Sequence, residues 1–295
     1  MNILSAFKNP RLLKAVTGLN VQKFNDLLPL FKSCLNEIAC QRACLRKPGG
    51  GRRGALPDAA HKLFFILFYL KVYPTYDLAG FIFGVDRSRP CRWVSQFLPV
   101  LEEVLKRKCV LPERRLDSIA SLLEAFPETK DLFIDSTERR VWRPQSDKSQ
   151  KRLYSGKKKA HTRKNLIASD SQKRVLVVSP TKNGRIHDKK LFDKELWGNW
   201  IPPDVSVWLD TGFIGVGSIG NEVFMPKKKS KKHPLTTEEK QTNQAISSIR
   251  VVVEHAIGGI KRFAATSGVY RNKKQQDDPF IAVAAGLWNL HLQTT

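Results

Sequence analysis

The chain has 295 residues, 41% of them apolar, so it is long enough for about two domains and can bury substantial hydrophobic cores. Its 51 lysines and arginines outnumber its 27 aspartates and glutamates, which gives a formal net charge of +24. Solubility does not require such an excess. It favours a polyanionic partner, nucleic acid first, because neutralised phosphates release condensed counterions.

Other classes of protein fit the composition less well. Five cysteines, an odd number, do not indicate a disulfide framework in a chain of this size. An anionic membrane surface is the alternative partner for a basic chain, but the most apolar run, at 63–70, is too short to span a bilayer. The first residues lack the compact apolar segment of a signal peptide. We therefore expect an intracellular protein with no membrane partner.

Residues 1–56 predict a helical segment followed by a basic linker. The stretch 20–45 alternates apolar and polar residues with a helical period, and RKPGGGRRG at 46–54 combines glycines with arginines. A segment of this kind serves either as a solvated connector, which we favour, or as an arm that contacts DNA.

Residues 57–127 predict a helical DNA-binding domain. A buried helix ends before Pro74, a short helix is capped by Thr75, and a turn at 84–86 leads to a further helix entered near Pro90. This order resembles a helix-turn-helix, whose second helix enters a major groove. The alternative is an ordinary three-helix bundle, and the basic charge favours DNA binding. The residues expected to contact DNA at the start of the second helix are Arg87, Arg89 and Arg92.

Residues 128–295, after Pro127, predict a mixed α/β domain. Three consecutive strands precede a short helix, two more strands and two closing helices. A ribonuclease H-like core, with a mixed sheet flanked by helices, has this order and is the predicted fold. The segments are DLFIDSTERRVW, KAHTRKNLIASD, KRVLVVSPTKNG, HDKKLFDKELW, DVSVWLDTGF, NEVFMP, roughly 236–265, and DPFIAVAAGLWNLHLQ.

Three carboxylates lie where such a fold would bring them together. Asp135 closes the apolar strand LFID, Asp210 closes VWLD, and Glu254 lies within the long helix IRVVVEHAIGGIKRF. Carboxylates at buried strand ends are costly without a partner, and three at one place repel one another unless a cation neutralises them. Oxygen ligands suit Mg²⁺ or Mn²⁺, and a pair of such ions supports phosphoryl transfer.

The surrounding residues resemble a known enzyme family. RVVVEHAIGGIK contains R-x3-E-x6-K, which resembles the end of the signature helix of bacterial DDE transposases. IDSTERRVWRP, YSGKKKAHTRKN and NGRIHDKKLF resemble blocks of insertion-sequence transposases of the IS-five type, related to the Harbinger superfamily. The four blocks cover residues 132–292, and 57–108 fits the family more loosely. The fuller signature begins with a tyrosine three residues before the arginine, where this chain has Ser247.

The resemblance implies a catalytic core in which Asp135, Asp210 and Glu254 bind two divalent ions, Mg²⁺ or Mn²⁺. Water, and then the freed 3′ hydroxyl of a transposon end, would attack DNA phosphates in line. The implied partners are double-stranded DNA, as terminal inverted repeats and target, and a second copy of the chain, because two ends are cut and joined. The implied location is the cytoplasm, at the bacterial nucleoid.

Basic residues near the carboxylates are predicted to contact DNA. Arg250 and Lys261 share a helix face with Glu254, and their groups match the phosphate oxygens that flank a scissile bond. A surface ion-pair ladder is the alternative for this stripe. A hairpin beside the active strand is expected to contact the DNA backbone, with a solvated hairpin as the alternative; its residues are Lys157, Lys158, Lys159, His161 and Lys164.

Tryptophans offer a further kind of contact. Aromatic rings stack on unpaired bases near a cleavage site, whereas core packing is favoured for Trp208 because it lies inside a strand. The other candidates in this half of the chain are Trp142, Trp197 and Trp200.

Two other functions stay open. A transposase-derived DNA-binding factor would keep the site without using it, and the intact carboxylates and R-x3-E-x6-K favour the enzyme over this factor. A ribonuclease acting on RNA–DNA hybrids shares the metal chemistry. The helix-turn-helix and the basic N-terminal half weigh against the ribonuclease.

Overall fold

The structure, a computed structural model, describes residues 3–41, 54–116, 118–216, 222–229, 234–272 and 276–293. The linker predicted at 46–54 therefore lies outside the described residues, apart from Gly54. Within the described ranges, no helix combines the length and the apolar character that a membrane span needs.

In chain order the helices are α1 (Ile3–Lys8), α2 (Pro10–Thr17), α3 (Val21–Gln41), α4 (Ala59–Val72), α5 (Tyr76–Phe83), α6 (Ser88–Arg107), α7 (Ile119–Ala125), α8 (Asp147–Leu153), α9 (Asp188–Lys194), α10 (Thr237–Lys261), α11 (Ala264–Ser267) and α12 (Asp277–Leu292). The strands are β1 (Asp131–Arg140), β2 (Tyr154–Ser155), β3 (Ala160–Ser169), β4 (Val175–Val178), β5 (Lys182–Asn183), β6 (Ser206–Trp208) and β7 (Val223–Phe224). All the elements predicted for the second half are present. The sequence missed α8, β2 and β5, which are too short to show a periodic pattern.

The described residues fall into two compact units. The first comprises Met1–Leu111, Lys261–Gly268 and Pro279–Leu287, and the second comprises Pro112–Ile260, Val269–Asp278 and Trp288–Thr295.

Helix α4 forms the centre of the first unit. Its residues 63–70 are all buried, the pattern of a helix enclosed by other helices. Within this unit α4 contacts α2, α3, α6 and α11. The helix begins at Asp58, whose carboxylate accepts a hydrogen bond from the His61 backbone N–H at 2.9 Å.

Helices α5 and α6 confirm the predicted helix-turn-helix. The Thr75 hydroxyl accepts a hydrogen bond from the Leu78 backbone N–H at 3.1 Å and so caps α5. Gly84 ends α5 with a φ of 64°, a left-handed conformation that glycine adopts without steric cost. The turn therefore lies where the sequence predicted it, and α6 follows directly.

The sheet of the second unit has the strand order β2-β3-β1-β6-β7, with β4 and β5 also paired to β3. Strand β1 pairs antiparallel with β3 and parallel with β6, and β6 pairs parallel with β7. The consecutive strands are thus antiparallel and the later ones parallel, flanked by helices. This topology confirms the ribonuclease H-like fold, preceded by an all-α region with a helix-turn-helix.

Helix α7 belongs with the sheet rather than with the preceding helices. Leu122 and Phe126 pack into the same core cluster as Leu132 and Ile134 of β1. The Glu113 backbone N–H also donates to the Leu176 carbonyl at 2.8 Å. The second unit consequently begins at Pro112, ahead of the boundary that the sequence placed at residue 127.

Replacing Gly84 tests the turn of the helix-turn-helix. We expect Gly84→Ala to lower the free energy of unfolding by about 1 kcal/mol, because a side chain is strained at this φ although no atom lies within 4 Å of the new Cβ. Gly84→Asn is the control, since asparagine tolerates the left-handed region better. Urea denaturation followed by circular dichroism measures both, and equal midpoints for glycine and alanine would contradict the expectation.

Candidate functional site

The register of two parallel strands brings Asp135 and Asp210 together. Phe133 of β1 pairs with Trp208 of β6, and each aspartate lies two residues further along its own chain. Because side chains alternate with a period of two, both carboxylates extend from the same side of the sheet at neighbouring positions. Two of the three predicted catalytic carboxylates are therefore adjacent.

Asp135 does not close its strand, so that prediction is wrong. Strand β1 continues to Arg140 because β3 pairs with it along residues 133–140. What ends near Asp135 is the pairing with β6, whose last pair is Phe133 with Trp208. Among the described residues, no strand pairs with this edge of β1 between Phe133 and the Tyr270 bridge at Val141, and Asp135 lies where the pairing with β6 ends.

The two carboxylates share a cationic neighbour, Arg250. One guanidinium nitrogen of Arg250, Nη1, lies 3.6 Å from Asp210 Oδ1. Burial raises the pKa of the Asp135 carboxyl, and the charge of Asp210 raises it further. The Ser136 backbone N–H, which donates to Asp135 Oδ1 at 2.7 Å, and the Arg250 charge act in the opposite direction. Burial prevails, so the site disfavours a second negative charge at Asp135.

The residues of the polar stripe predicted on α10 differ in burial. Arg250 lies on the buried face, 6% exposed, and pairs with Asp210 rather than with Glu254. Glu254 is exposed one helical turn away, about 6 Å along the axis. The surface ion-pair ladder therefore does not form between these two residues. Lys261, exposed at the end of α10, is part of the first unit, and its role in the site stays a prediction.

The donor atoms of the site fit a divalent cation only in part. Asp135 and Asp210 supply the hard oxygen ligands that Mg²⁺ and Mn²⁺ prefer, and a cation beside them would relieve their repulsion. Arg250 carries the positive charge at that place. In the part of the chain that the structure describes, no three His, Cys, Asp or Glu side chains are gathered as a metal site. Glu254 therefore does not join the two aspartates in this arrangement.

A buried lysine of β3 forms ion pairs with two further carboxylates. Lys164, predicted to contact DNA, is 4% exposed, and its ammonium lies 3.2 Å from Glu138 Oε1 and 2.8 Å from Asp188 Oδ1. It also donates to the Ile186 carbonyl at 2.8 Å. The Thr162 hydroxyl donates to Glu138 Oε2 at 2.7 Å. The ammonium is engaged inside the fold, so its burial does not support a backbone contact with DNA.

Asp188 connects this network to the loop that carries Asp210. The Asp188 carboxylate is buried, and its Oδ2 would lie 2.8 Å from a Cβ at Gly212. A side chain at position 212 would therefore displace the Asp188 carboxylate from this position. Lys157 adds a second cation, 3.8 Å from Asp188 Oδ2. Local sequence does not reveal these ion pairs of Asp188, because their partners are distant along the chain.

A cleft of about 1430 Å³ opens above this network. Among the described residues, two carboxylates line it, those of Asp188 and Asp210, against seven lysines and arginines, so this lining is strongly cationic. Lys158 and Lys159 are exposed in the adjacent turn, and His161 lines the cleft. The sequence missed most of the lining cations because they are scattered singly along the chain, as solvated charges are. The lining lysines and arginines are Arg143, Lys151, Lys157, Lys164, Arg185, Lys190 and Lys228.

The first unit presents a separate basic surface. Arg87, Arg89 and Arg92 are all exposed at the start of α6. Arg92 is held by the Ser88 hydroxyl, to which it donates at 2.9 Å, and Arg87 lies 3.7 Å from the exposed Asp77. The predicted position of these arginines, at the entry to the second helix of the motif, is therefore correct.

Comparison with known proteins identifies the class. Residues 134–289, more than half of the chain, match the model of the DDE superfamily endonucleases, and residues 55–107 match the helix-turn-helix of the DDE superfamily endonucleases. The chain therefore belongs to the DDE superfamily of endonucleases. Both matches imply DNA as its partner.

One relative is similar along nearly the whole length. The probable transposase for insertion sequence element IS702 from Microchaete diplosiphon is 28% identical over 282 residues, which cover 96% of this chain and 95% of the relative. No solved structure matches the chain. The resemblance to DDE enzymes is thus confirmed, whereas the IS-five subtype stays a prediction.

Removing the charge of Lys164 tests the buried network. We expect Lys164→Met to lower the free energy of unfolding by about 3–5 kcal/mol, because Glu138 and Asp188 would be left buried without their cation. Lys158→Met is the matched control, since Lys158 is exposed. Thermal and urea unfolding measure the difference. A loss below about 1 kcal/mol would show that the two carboxylates do not depend on Lys164.

Proposed function

We propose that the protein is a DNA transposase that binds the terminal inverted repeats of its element, cleaves DNA there and transfers the freed strands to target DNA. The observation that carries this proposal is the pair Asp135 and Asp210, brought together by the β1–β6 register beside a cationic cleft. Asp210 itself lines the cleft. Phosphates held by the cleft cations would therefore lie next to the carboxylates.

The proposed metal ligands are Asp135, Asp210 and Glu254, which would hold two Mg²⁺ or Mn²⁺ ions. When bound, such ions supply Lewis acidity at the phosphate and a more acidic attacking hydroxyl. Glu254 is exposed on α10 one turn beyond Arg250, and helical side chains point toward the N-terminus, which is the direction of Arg250. A change of the Glu254 rotamer would shift its carboxylate toward Arg250, the residue of the preceding helical turn that contacts Asp210.

Arg250 supports a rearrangement of this kind. Its Nε is buried and has no hydrogen-bond partner among the described residues. A buried donor without an acceptor costs about 1–3 kcal/mol, so an arrangement that supplies an acceptor is favoured. A phosphate oxygen is such an acceptor, and its negative charge suits guanidinium. We assign Arg250 to a phosphate beside the scissile bond, at the expense of its pairing with Asp210.

DNA recognition is assigned to the helix-turn-helix, with α6 in a major groove and Arg87, Arg89 and Arg92 at bases and phosphates. Contacts to the DNA backbone near the cut are assigned to Lys157, Lys158, Lys159 and His161.

The chemistry favours a homodimer, because two transposon ends are cut and joined in one reaction. A bacterial element has its DNA in the nucleoid, so the enzyme would act in the cytoplasm. The four sequence blocks favour the IS-five type within the superfamily.

A DNA-binding factor without catalysis is the second candidate. The observation that favours it is the Arg250 guanidinium beside Asp210, at the place where the enzyme needs a metal ion. Such a protein would keep the helix-turn-helix and the cationic cleft while its carboxylates remain neutralised by Arg250.

Neutral replacements of the carboxylates separate the two candidates. We expect Asp135→Asn, Asp210→Asn and Glu254→Gln each to reduce Mn²⁺-dependent nicking of a plasmid carrying the element ends by about 100-fold or more, because each removes a charged oxygen ligand. Glu238→Gln, an exposed change on the same helix as Glu254, is the control and should retain full activity.

Stability distinguishes loss of chemistry from loss of fold. Burial raises the pKa of Asp135, so folding already disfavours its charged form, and Asp135→Asn should not destabilise the protein through charge. Equal nicking by the parent and by Asp135→Asn would contradict the catalytic role of Asp135, and a parent without Mn²⁺-dependent nicking would favour the DNA-binding factor.

Salt dependence tests the helix-turn-helix surface. We expect Arg89→Ala to weaken binding to a terminal-repeat duplex and to reduce the slope of log affinity against log salt by about 1, because one phosphate contact is lost. Lys240→Ala is the control, since Lys240 is exposed on α10 in the other unit. Fluorescence anisotropy over a range of salt concentrations measures both slopes. An unchanged slope for Arg89→Ala would remove Arg89 from the DNA contacts.

A further inference from the structure

Exposed aromatic side chains distinguish binding of unpaired strands from binding of duplex DNA. A duplex hides the faces of its bases, so a protein that contacts only duplex backbone needs cations alone. A protein that holds an unpaired strand combines a cationic groove with aromatic rings on which bases stack. An aromatic ring that is exposed and lines the cleft would therefore indicate an unpaired strand.

The tryptophans predicted to stack on bases are mostly committed to the core. Trp197 and Trp200 are 3% and 1% exposed, and Trp208, 9% exposed, lies between Phe133 and Phe224 at ring distances of 5.7 and 4.1 Å. The core packing predicted for Trp208 is thus confirmed. Trp142 is exposed but does not line the cleft.

Tyr154 meets both conditions. Its side chain is 45% exposed, and it lines the cleft that contains Asp210. From this placement we propose that Tyr154 is a stacking platform for an unpaired base of the DNA strand held in the cleft. The proposal rests on the proposed function, because it specifies the DNA that the same site accepts.

The backbone holds Tyr154 firmly in place. Its N–H donates to the Gln150 carbonyl at the end of α8, and it pairs with His161 in the short β2–β3 ladder. The rings of Tyr154 and His161 contact each other edge to face, with centroids 5.7 Å apart and an interplanar angle of 71°. A ring fixed in this way loses little conformational entropy when a base stacks on it.

The charges around Tyr154 suit a phosphate backbone. Arg143, Lys151 and Lys157 line the same cleft. Arg143 is positioned by Gln150, whose amide oxygen accepts from its Nε at 3.0 Å. The helix that ends before Tyr154 thus sets both an aromatic ring and a cation at the cleft wall.

The size of the cleft agrees with a polymer. Its volume of about 1430 Å³ exceeds the roughly 300–1,000 Å³ of ordinary small-molecule pockets. Space for several nucleotides, many cations and one exposed ring together indicate a segment of single-stranded DNA next to the carboxylates.

Affinity for single-stranded DNA tests the proposal in the full chain. With a short single-stranded oligonucleotide and EDTA present to prevent cleavage, Tyr154→Ala should bind about 5- to 150-fold more weakly than the parent. Tyr154→Phe keeps the stacking ring and should bind as the parent does. Trp142→Ala is the matched control, an exposed aromatic outside the cleft, and should also bind as the parent does. Affinity for a blunt duplex should be the same for all four proteins.

Photocrosslinking detects direct contact between a base and Tyr154, which a purely structural role of Tyr154 would not produce. An oligonucleotide carrying 5-iodouracil should crosslink to Tyr154 in the parent, as mapped by mass spectrometry. Unchanged single-strand affinity in Tyr154→Ala, or a crosslink confined to other residues, would overturn the proposal.

The outcomes separate this proposal from the proposed function. If the parent cleaves element ends while its single-strand binding is independent of Tyr154, only the stacking role fails. If single-strand binding depends on Tyr154 but no cleavage occurs with Mg²⁺ or Mn²⁺, the stacking role stands and the transposase assignment fails.

Discussion

The site depends on one pairing, that of β1 with β6. The parallel register places Phe133 opposite Trp208, and the stacked rings of these two residues and Phe224 hold the pair together. Two residues later each chain carries an aspartate, at the point where the strands part. Backbone hydrogen bonding and aromatic packing therefore hold the two carboxylates next to each other, although their negative charges repel. Any change that shifts this register by one residue would turn one aspartate to the opposite face of the sheet.

Charge compensation then shapes the surroundings of the pair. Arg250 of α10 is paired with Asp210, and Lys164 of the sheet is paired with both Glu138 and Asp188. The contact of Arg250 and the contacts of Lys164 suit different roles. Lys164 is enclosed and donates hydrogen bonds of 2.8 Å to Asp188 Oδ1 and to the Ile186 carbonyl, which suits a permanent support. Arg250 is longer in its contact and keeps an unbonded Nε, which suits an interaction that gives way when a phosphate or a cation is bound.

The structure describes two basic surfaces, one in each unit. In the helix-turn-helix the arginines are exposed at the start of α6, the end of the second helix that contacts DNA bases in such motifs. In the second unit the cations line a cleft with Tyr154 at its wall, which we propose holds the DNA strand that reacts. A DDE endonuclease needs both, because finding a DNA end and holding the cut strand are different tasks.

The sequence by itself determined most of the elements, the helix-turn-helix and the fold class, because these follow from local periodicity, capping residues and short motifs. It also identified Asp135 and Asp210 as carboxylates that the fold brings together, although it placed Asp135 at the end of a strand that continues to Arg140. It also placed Arg250 and Glu254 on one stripe, and it assigned Lys164 to DNA. Only the tertiary structure decided that Arg250 is buried against Asp210, that Glu254 is exposed, that Lys164 supports Asp188, and that Tyr154 faces the cleft. These features depend on contacts between residues far apart in the chain. Their burial is set by the packing of α10, α9 and the strands, which no local pattern records.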